Sequence, residues 1–152
     1  MNQLKGKIVH MESSDTMSLV DVEVKGDIFS AIVLDLPKDN LYLKMENEVI
    51  LLFKETEVSI AKNLSGMISL RNRIKSKIQK IEKAPILTKV ILDYKSTPIV
   101  SIISTRSTEK LQLKVGDEVE WLVKTNEMAL AYGLPAGRQA GLTIGREGHD
   151  GL

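Results

Sequence analysis

Residues 1–60 lie over residues 71–130 without a gap, at a constant offset of 70. Asn2, Lys5, Lys7 and Ile8 fall on Asn72, Lys75, Lys77 and Ile78. Later in each copy Leu41, Leu43, Lys44, Glu48, Val49, Leu52 and Lys54 fall on Leu111, Leu113, Lys114, Glu118, Val119, Leu122 and Lys124. The spacing never slips, even across loops, so the chain is a tandem duplication and must adopt a fold that can be built twice. The expected division is repeat one over 1–64, repeat two over 65–131, and a segment 132–152 with no counterpart in the repeat.

Each repeat reads as short strands. Val20, Val22 and Val24 alternate with Asp21, Glu23 and Lys25, the period of two of a half-buried strand. Lys25-Gly26-Asp27 turns the chain, and Phe29 to Val33 supplies another strand. Val90 to Leu92 and Ile99 to Ile103 repeat these parts around a turn at Ser96-Thr97-Pro98. A short helical or turn segment is expected near 38–43 and 108–113, before strands at 48–54 and 118–124. The expectation is an all-β chain of two OB-like five-stranded barrels, each with one short helix. The tail holds six of the ten glycines and few bulky apolar residues, and is expected to be disordered.

A domain this small buries only about 60% of its unfolded surface and is marginal alone. Residues 1–63 carry 7 basic and 11 acidic groups, and residues 64–130 carry 12 and 7. Opposite halves favour head-to-tail docking, so a homo-oligomer, dimer or trimer, is expected. The net charge of +1 lacks the basic signature of a phosphate-contacting protein, and six aromatics leave few stacking platforms for single-stranded nucleic acid. No apolar run exceeds five residues, so no membrane span or signal segment is expected. Zero cysteines exclude disulfides and thiolate sites and agree with a reducing, cytoplasmic setting.

Enzyme templates find no match. The chain has two histidines, no Gly-x-Ser-x-Gly and no His-Glu-x-x-His, so no catalysis is expected. The remaining polar groups of note concentrate in repeat two: Ser69, Arg71 and Asn72 at its opening, Ser104-Thr105-Arg106-Ser107 after its third strand, and Lys124 near its end. A Ser/Thr cluster before a short helix also reads as a helix cap.

In order and spacing these residues resemble the molybdate-binding Mop domain, of the molbindin or TOBE type. The matching pieces are Ser69, Arg71 and Asn72; Ile78; Ile103, Ser104 and Ser107; Leu111 and Leu113; Gly116 and Val119; and Lys124. Ser76 stands where the family has glycine, and Ser104 replaces threonine while keeping the hydroxyl. Repeat one departs further: Met1 falls at the arginine position, and Leu34 and Pro37 replace the two hydroxyl residues. The resemblance implies an oxyanion site in repeat two built by Ser69, Arg71, Asn72, Ser104, Ser107 and Lys124, with Lys54 a candidate to complete a site across an interface.

The chemistry agrees with that implication. Molybdate, like tungstate, is a tetrahedral dianion whose metal is already shielded by four oxygens. Its host needs hydrogen-bond donors and positive charge rather than Cys, His or carboxylate ligands. Backbone amides at the start of a helix after Ser107 would add partial positive charge. The resemblance implies a cytoplasmic molybdate- or tungstate-binding protein for storage or homeostasis. The alternative is the ligand-sensing module of a molybdate-responsive transcription system, its DNA contacted by a partner protein.

Overall fold

The computed structural model describes residues 1–132 and the short strand Thr143–Ile144. In chain order the strands are β1 (Asn2–Ser13), β2 (Ser18–Val24), β3 (Asp27–Val33), β4 (Glu48–Phe53), β5 (Ser59–Ala61), β6 (Asn72–Lys83), β7 (Leu87–Tyr94), β8 (Thr97–Ser104), β9 (Glu118–Val123), β10 (Ala129–Tyr132) and β11 (Thr143–Ile144). One α-helix, α1 (Thr105–Lys110), follows β8, and 3-10 turns cover Glu55–Glu57 and Thr125–Glu127.

Alternation places the side chains as expected. Ser18, Val20, Val22 and Val24 of β2 are buried, as are Thr88, Val90, Leu92 and Tyr94 of β7. The long strands β1 and β6 each carry a register shift at the same repeat position, between Ile8 and His10 and between Ile78 and Lys80. Such bulges bend a strand and increase its twist, which lets a small sheet curl toward closure. The hairpin turn at Lys25-Gly26 has positive φ at both residues, the geometry that matches strand twist. In repeat two Lys95 and Ser96 adopt it without glycine, and the Ser96 N–H is held by Asp93 Oδ1 at 2.8 Å.

The compact units do not coincide with the sequence repeats. Unit 1 comprises Met1, Gln3–Phe53 and the chain from Thr125 onward; unit 2 comprises Asn2 and Lys54–Lys124. The sheet of unit 1 runs β11-β10-β4-β1-β2-β3, and that of unit 2 runs β5-β9-β6-β7-β8. Thus β5, from repeat one, lies beside β9 with Ile60 opposite Trp121, while β10, from repeat two, lies beside β4 with Leu130 opposite Leu51. Each OB-like unit takes its fifth strand from the other repeat.

In unit 2 the sheet edges meet: the turn at Glu55–Glu57 packs on β8, and the Ser101 hydroxyl donates to the Val58 carbonyl at 2.6 Å. Trp121 and Tyr94, both fully buried, pack edge-on at 5.7 Å within a core that includes Ile78, Leu92 and Ile99. In unit 1, β10 and the turn at Thr125–Glu127 pack on β3, over a core that includes Ile8, Phe29, Leu51, Phe53 and Met128.

Two local expectations shift. Helix α1 begins at Thr105, earlier than the segment near 108–113, because Ser104 caps it: its hydroxyl oxygen accepts the Ser107 N–H at 3.0 Å. Repeat one has turns over 37–39 in place of that helix, with Leu34 and Pro37 standing where Ser104 and Ser107 form the cap. The segment expected to be a disordered tail from residue 132 has Tyr132 as a fully buried strand residue, paired with Val49 and Thr143. Residues 133–142 and 145–152 lie outside the described residues.

Candidate oxyanion site

All seven residues singled out from the sequence belong to unit 2, and they fall into groups. The first group forms at the open end of the β6–β9 ladder. Asn72 pairs with Val123 and donates its amide N–H to the Val123 carbonyl at 3.0 Å. Arg71 immediately precedes Asn72 and Lys124 immediately follows Val123, so the antiparallel register, carried one residue past the last pair, would set the two cations across from each other. Both are exposed, and neither has an ion pair among the described residues. Like charges facing each other across strands are unfavourable without a counter-ion. Ser69 lies exposed two residues before Arg71.

Arg73, one strand position further, shows what a structural arginine looks like here. Its Nε and Nη2 donate to Glu120 at 2.8 and 2.9 Å, a bidentate pair across the β6–β9 ladder. That hydrogen bond holds the Glu120 carboxyl below the usual carboxylate range. Asp117 is lowered likewise by the Lys62 ammonium at 3.0 Å and by the Lys114 backbone N–H.

The second group, Ser104 and Ser107, sits at the β8–α1 junction. Ser104 pairs across the sheet with Leu87, beyond the Lys83–Thr88 pair at the far end of β6, whereas Asn72 opens β6. Along the sheet the two groups are therefore at opposite ends, and no hydrogen bond joins them among the described residues. The Ser107 amide expected to face an anion is taken by the Ser104 hydroxyl oxygen, so its partial charge is spent on the cap. The Ser104 hydroxyl in turn donates to Ser107 Oγ at 2.8 Å, which leaves the Ser107 O–H proton to point elsewhere. Lys54 precedes the turn at Glu55–Glu57 that packs on β8; it is exposed and without an ion pair among the described residues.

Beside Ser107, a groove of about 310 Å³ runs between β5 and α1, lined by Ser59, Ile60, Ile103, Ser107, Lys110 and Leu111. Ser59 and Lys110 were not among the residues singled out. The available signal was the three-residue spacing of Ser107 and Lys110, which puts both on one helix face. Among the described residues no group of His, Asp and Glu is arranged to hold a bare metal ion. No described helix is long and apolar enough to cross a membrane.

Two OB-like units, each a small antiparallel sheet, define the class of fold. Residues 68–130 match the family model for the TOBE domain. The solved structure of ModG, a cytoplasmic molybdate-binding protein with molybdate bound, matches 88% of this chain and 96% of its own, with TM-score 0.79 and 23% identity. A molybdate-binding protein from Sporomusa ovata matches 41% of this chain and 94% of its own at 38% identity, with TM-score 0.41. MopII from Clostridium pasteurianum matches 39% and 90% at 37% identity, with TM-score 0.37. No curated protein matches the chain.

Proposed function

We propose that the chain binds a tetrahedral oxyanion, molybdate or tungstate, and stores or buffers it in the cytoplasm without catalysing a reaction. The observation that carries this reading is the facing pair Arg71 and Lys124, two cations without a counter-ion among the described residues. A dianion seated between them neutralises both. Ser69 adds a hydroxyl at that end, and Asn72, Ser104 and Ser107 belong to the same set by family resemblance. ModG, which shares the fold, is a molybdate-binding protein, and the donor-rich, histidine- and cysteine-free set in this chain suits the same ligand.

The separation of the two groups along the sheet supports a homo-oligomer, a dimer or trimer, in which one chain's hydroxyl group meets another's cations. Lys54 then belongs to a site shared between chains. Calorimetric titration with molybdate, tungstate and sulfate, run beside a measurement of solution mass, tests the reading. Binding of molybdate or tungstate by an oligomer supports it; no oxyanion bound by the assembled protein overturns it.

A further inference from the structure

Behind Ser104 and Ser107 runs a chain of buried hydroxyls. Thr88 on β7 is fully buried, and so nearly is Thr105, the first residue of α1. Their Oγ1 atoms lie 2.8 Å apart, and Thr105 Oγ1 donates to the Ala84 carbonyl at 2.6 Å. A hydroxyl carries one proton, so Thr88 is the donor to Thr105. The Thr105 N–H donates to the Ile86 carbonyl at 2.8 Å, and Thr108 Oγ1 reaches back to the Ser104 carbonyl at 3.3 Å. Thr105 lies between Ser104 and Ser107 in the chain. Its bonds to Thr88, Ala84 and Ile86 therefore tie the stretch that carries both serines to β7 and to the 84–86 connection.

Stability alone is a weak reason for this chain, because an apolar pair of the same shape in place of two bonded hydroxyls costs a fold little. Ala84 is exposed, so its carbonyl does not depend on Thr105 for a partner. What the hydroxyls add over methyl groups is direction, since a hydrogen bond has a preferred angle and apolar contact has none. Repeat one supplies the comparison within the same molecule. There Ser18 and Asp35 stand at the positions of Thr88 and Thr105, and Leu34 and Pro37 at those of Ser104 and Ser107. Ser18 Oγ donates to the backbone carbonyl of Asp35 at 2.8 Å, and the Asp35 carboxylate accepts from the Asn40 amide at 3.3 Å. The threonine pair and the serine pair are thus present together in one repeat and missing together from the other. We infer that Thr88 and Thr105 are positioning residues for oxyanion binding, holding Ser104 and Ser107 at the place from which those hydroxyls meet the anion. This inference rests on the oxyanion-binding reading above and deepens it: Ser104 and Ser107 stay in the shared site, and the threonines act through them.

The test is calorimetric titration of the full chain with sodium molybdate, beside thermal unfolding without it. The proteins are wild type, Thr88→Ser, Thr105→Ser, Ser18→Ala, Arg71→Ala and the double variant Thr88→Val/Thr105→Val. The serine variants keep both hydroxyls and should bind as wild type does. The double variant keeps shape and loses the bonds. Its molybdate affinity should fall roughly five- to thirtyfold, the loss of one or two neutral hydroxyl contacts, while its midpoint stays close to that of wild type. Ser18→Ala, at the matching place in repeat one, should leave affinity unchanged. A purely structural role would lower the midpoint of the double variant and leave the affinity of the folded protein intact. That outcome, with Arg71→Ala still losing binding, overturns the positioning role and leaves the oxyanion reading standing. Equal affinity losses in the serine variants would assign the effect to the threonine methyls and overturn it too. A wild-type chain that binds no molybdate overturns both.

Discussion

The indole N–H of Trp121 donates to the hydroxyl of Ser76 at 3.0 Å, and the pair occupies the positions held in repeat one by Leu51 and Gly6. The two substitutions make sense only together. A buried indole needs a hydrogen-bond acceptor, and the departure from the family's glycine provides it. Ser76→Ala leaves that N–H buried and unsatisfied, a loss of about 1–3 kcal/mol. Thermal unfolding followed by tryptophan emission should show a lower midpoint. An unchanged midpoint means the hydrogen bond contributes nothing net.

The converse change in repeat one meets a different obstacle. A Cβ at Gly6 would lie 2.4 Å from the Glu23 carbonyl oxygen and 2.7 Å from a Val24 methyl. The nearest of these is backbone, so the hairpin must move. Gly6→Ser should destabilise by about 1–3 kcal/mol or more through overpacking, measured by denaturant titration. A variant as stable as wild type would show that β1 and β2 separate easily there.

At the cation end, Arg71→Ala should remove charge-assisted hydrogen bonds worth about 1.5–3 kcal/mol, roughly ten- to a hundredfold in oxyanion affinity. Lys124→Ala should match it. Lys54→Ala discriminates: an effect equal to that of Lys124 puts both cations at one shared site, and a negligible one makes Lys54 a bystander. If Arg71→Ala binds as wild type does, the site assignment falls.

Acid should weaken unit 2 through Glu120. Its folded-state pKa is lowered by Arg73 from an ordinary value of 4.5, so the pair's contribution is present above that value and is lost as pH falls through the folded pKa. Midpoints measured from pH 6 down to about pH 3 should fall. Glu120→Gln should show a shallower fall over that window. An identical slope in the variant would mean that other carboxylates control the acid limb.

The exchanged strands predict how a nicked chain behaves. A protease site introduced in the 62–71 connection and then cut would leave two fragments, each holding strands of both units. The β4–β10 and β5–β9 ladders join them. The fragments should therefore co-elute under native conditions and separate only in denaturant. Native separation after cutting would show that these ladders are too weak to hold the repeats together.

Much of this architecture was legible in the residues. The alternation of Val20, Val22 and Val24 marks a buried face because side-chain direction in a strand is a local property. The partner of a strand is not local. Nothing in Ser59-Ile60-Ala61 distinguishes pairing with β4 from pairing with β9, so the exchange of β5 and β10 could not be read. Arg71 and Lys124 were singled out through their resemblance to a family motif, and each adjoins one member of the last pair of the β6–β9 ladder. Ser104 had two readings from the outset, and the helix start at Thr105 shows it acting as a cap. Ser59 and Lys110 are exposed residues of common type, and only the packing of β5 near α1 makes them neighbours.

Synthesis runs from the N-terminus, and the exchange reverses the order in which the two units become complete. Unit 2 needs little beyond residues 54–124, so its strands are all present once Lys124 has emerged. Unit 1 has β1 to β4 made first, yet it waits for β10, the last long-range partner of β4. Until then β4 presents an unpaired edge, the kind of surface that recruits strands from other chains. The half encoded first is the half finished last, and its edge stays open for as long as the second repeat takes to emerge.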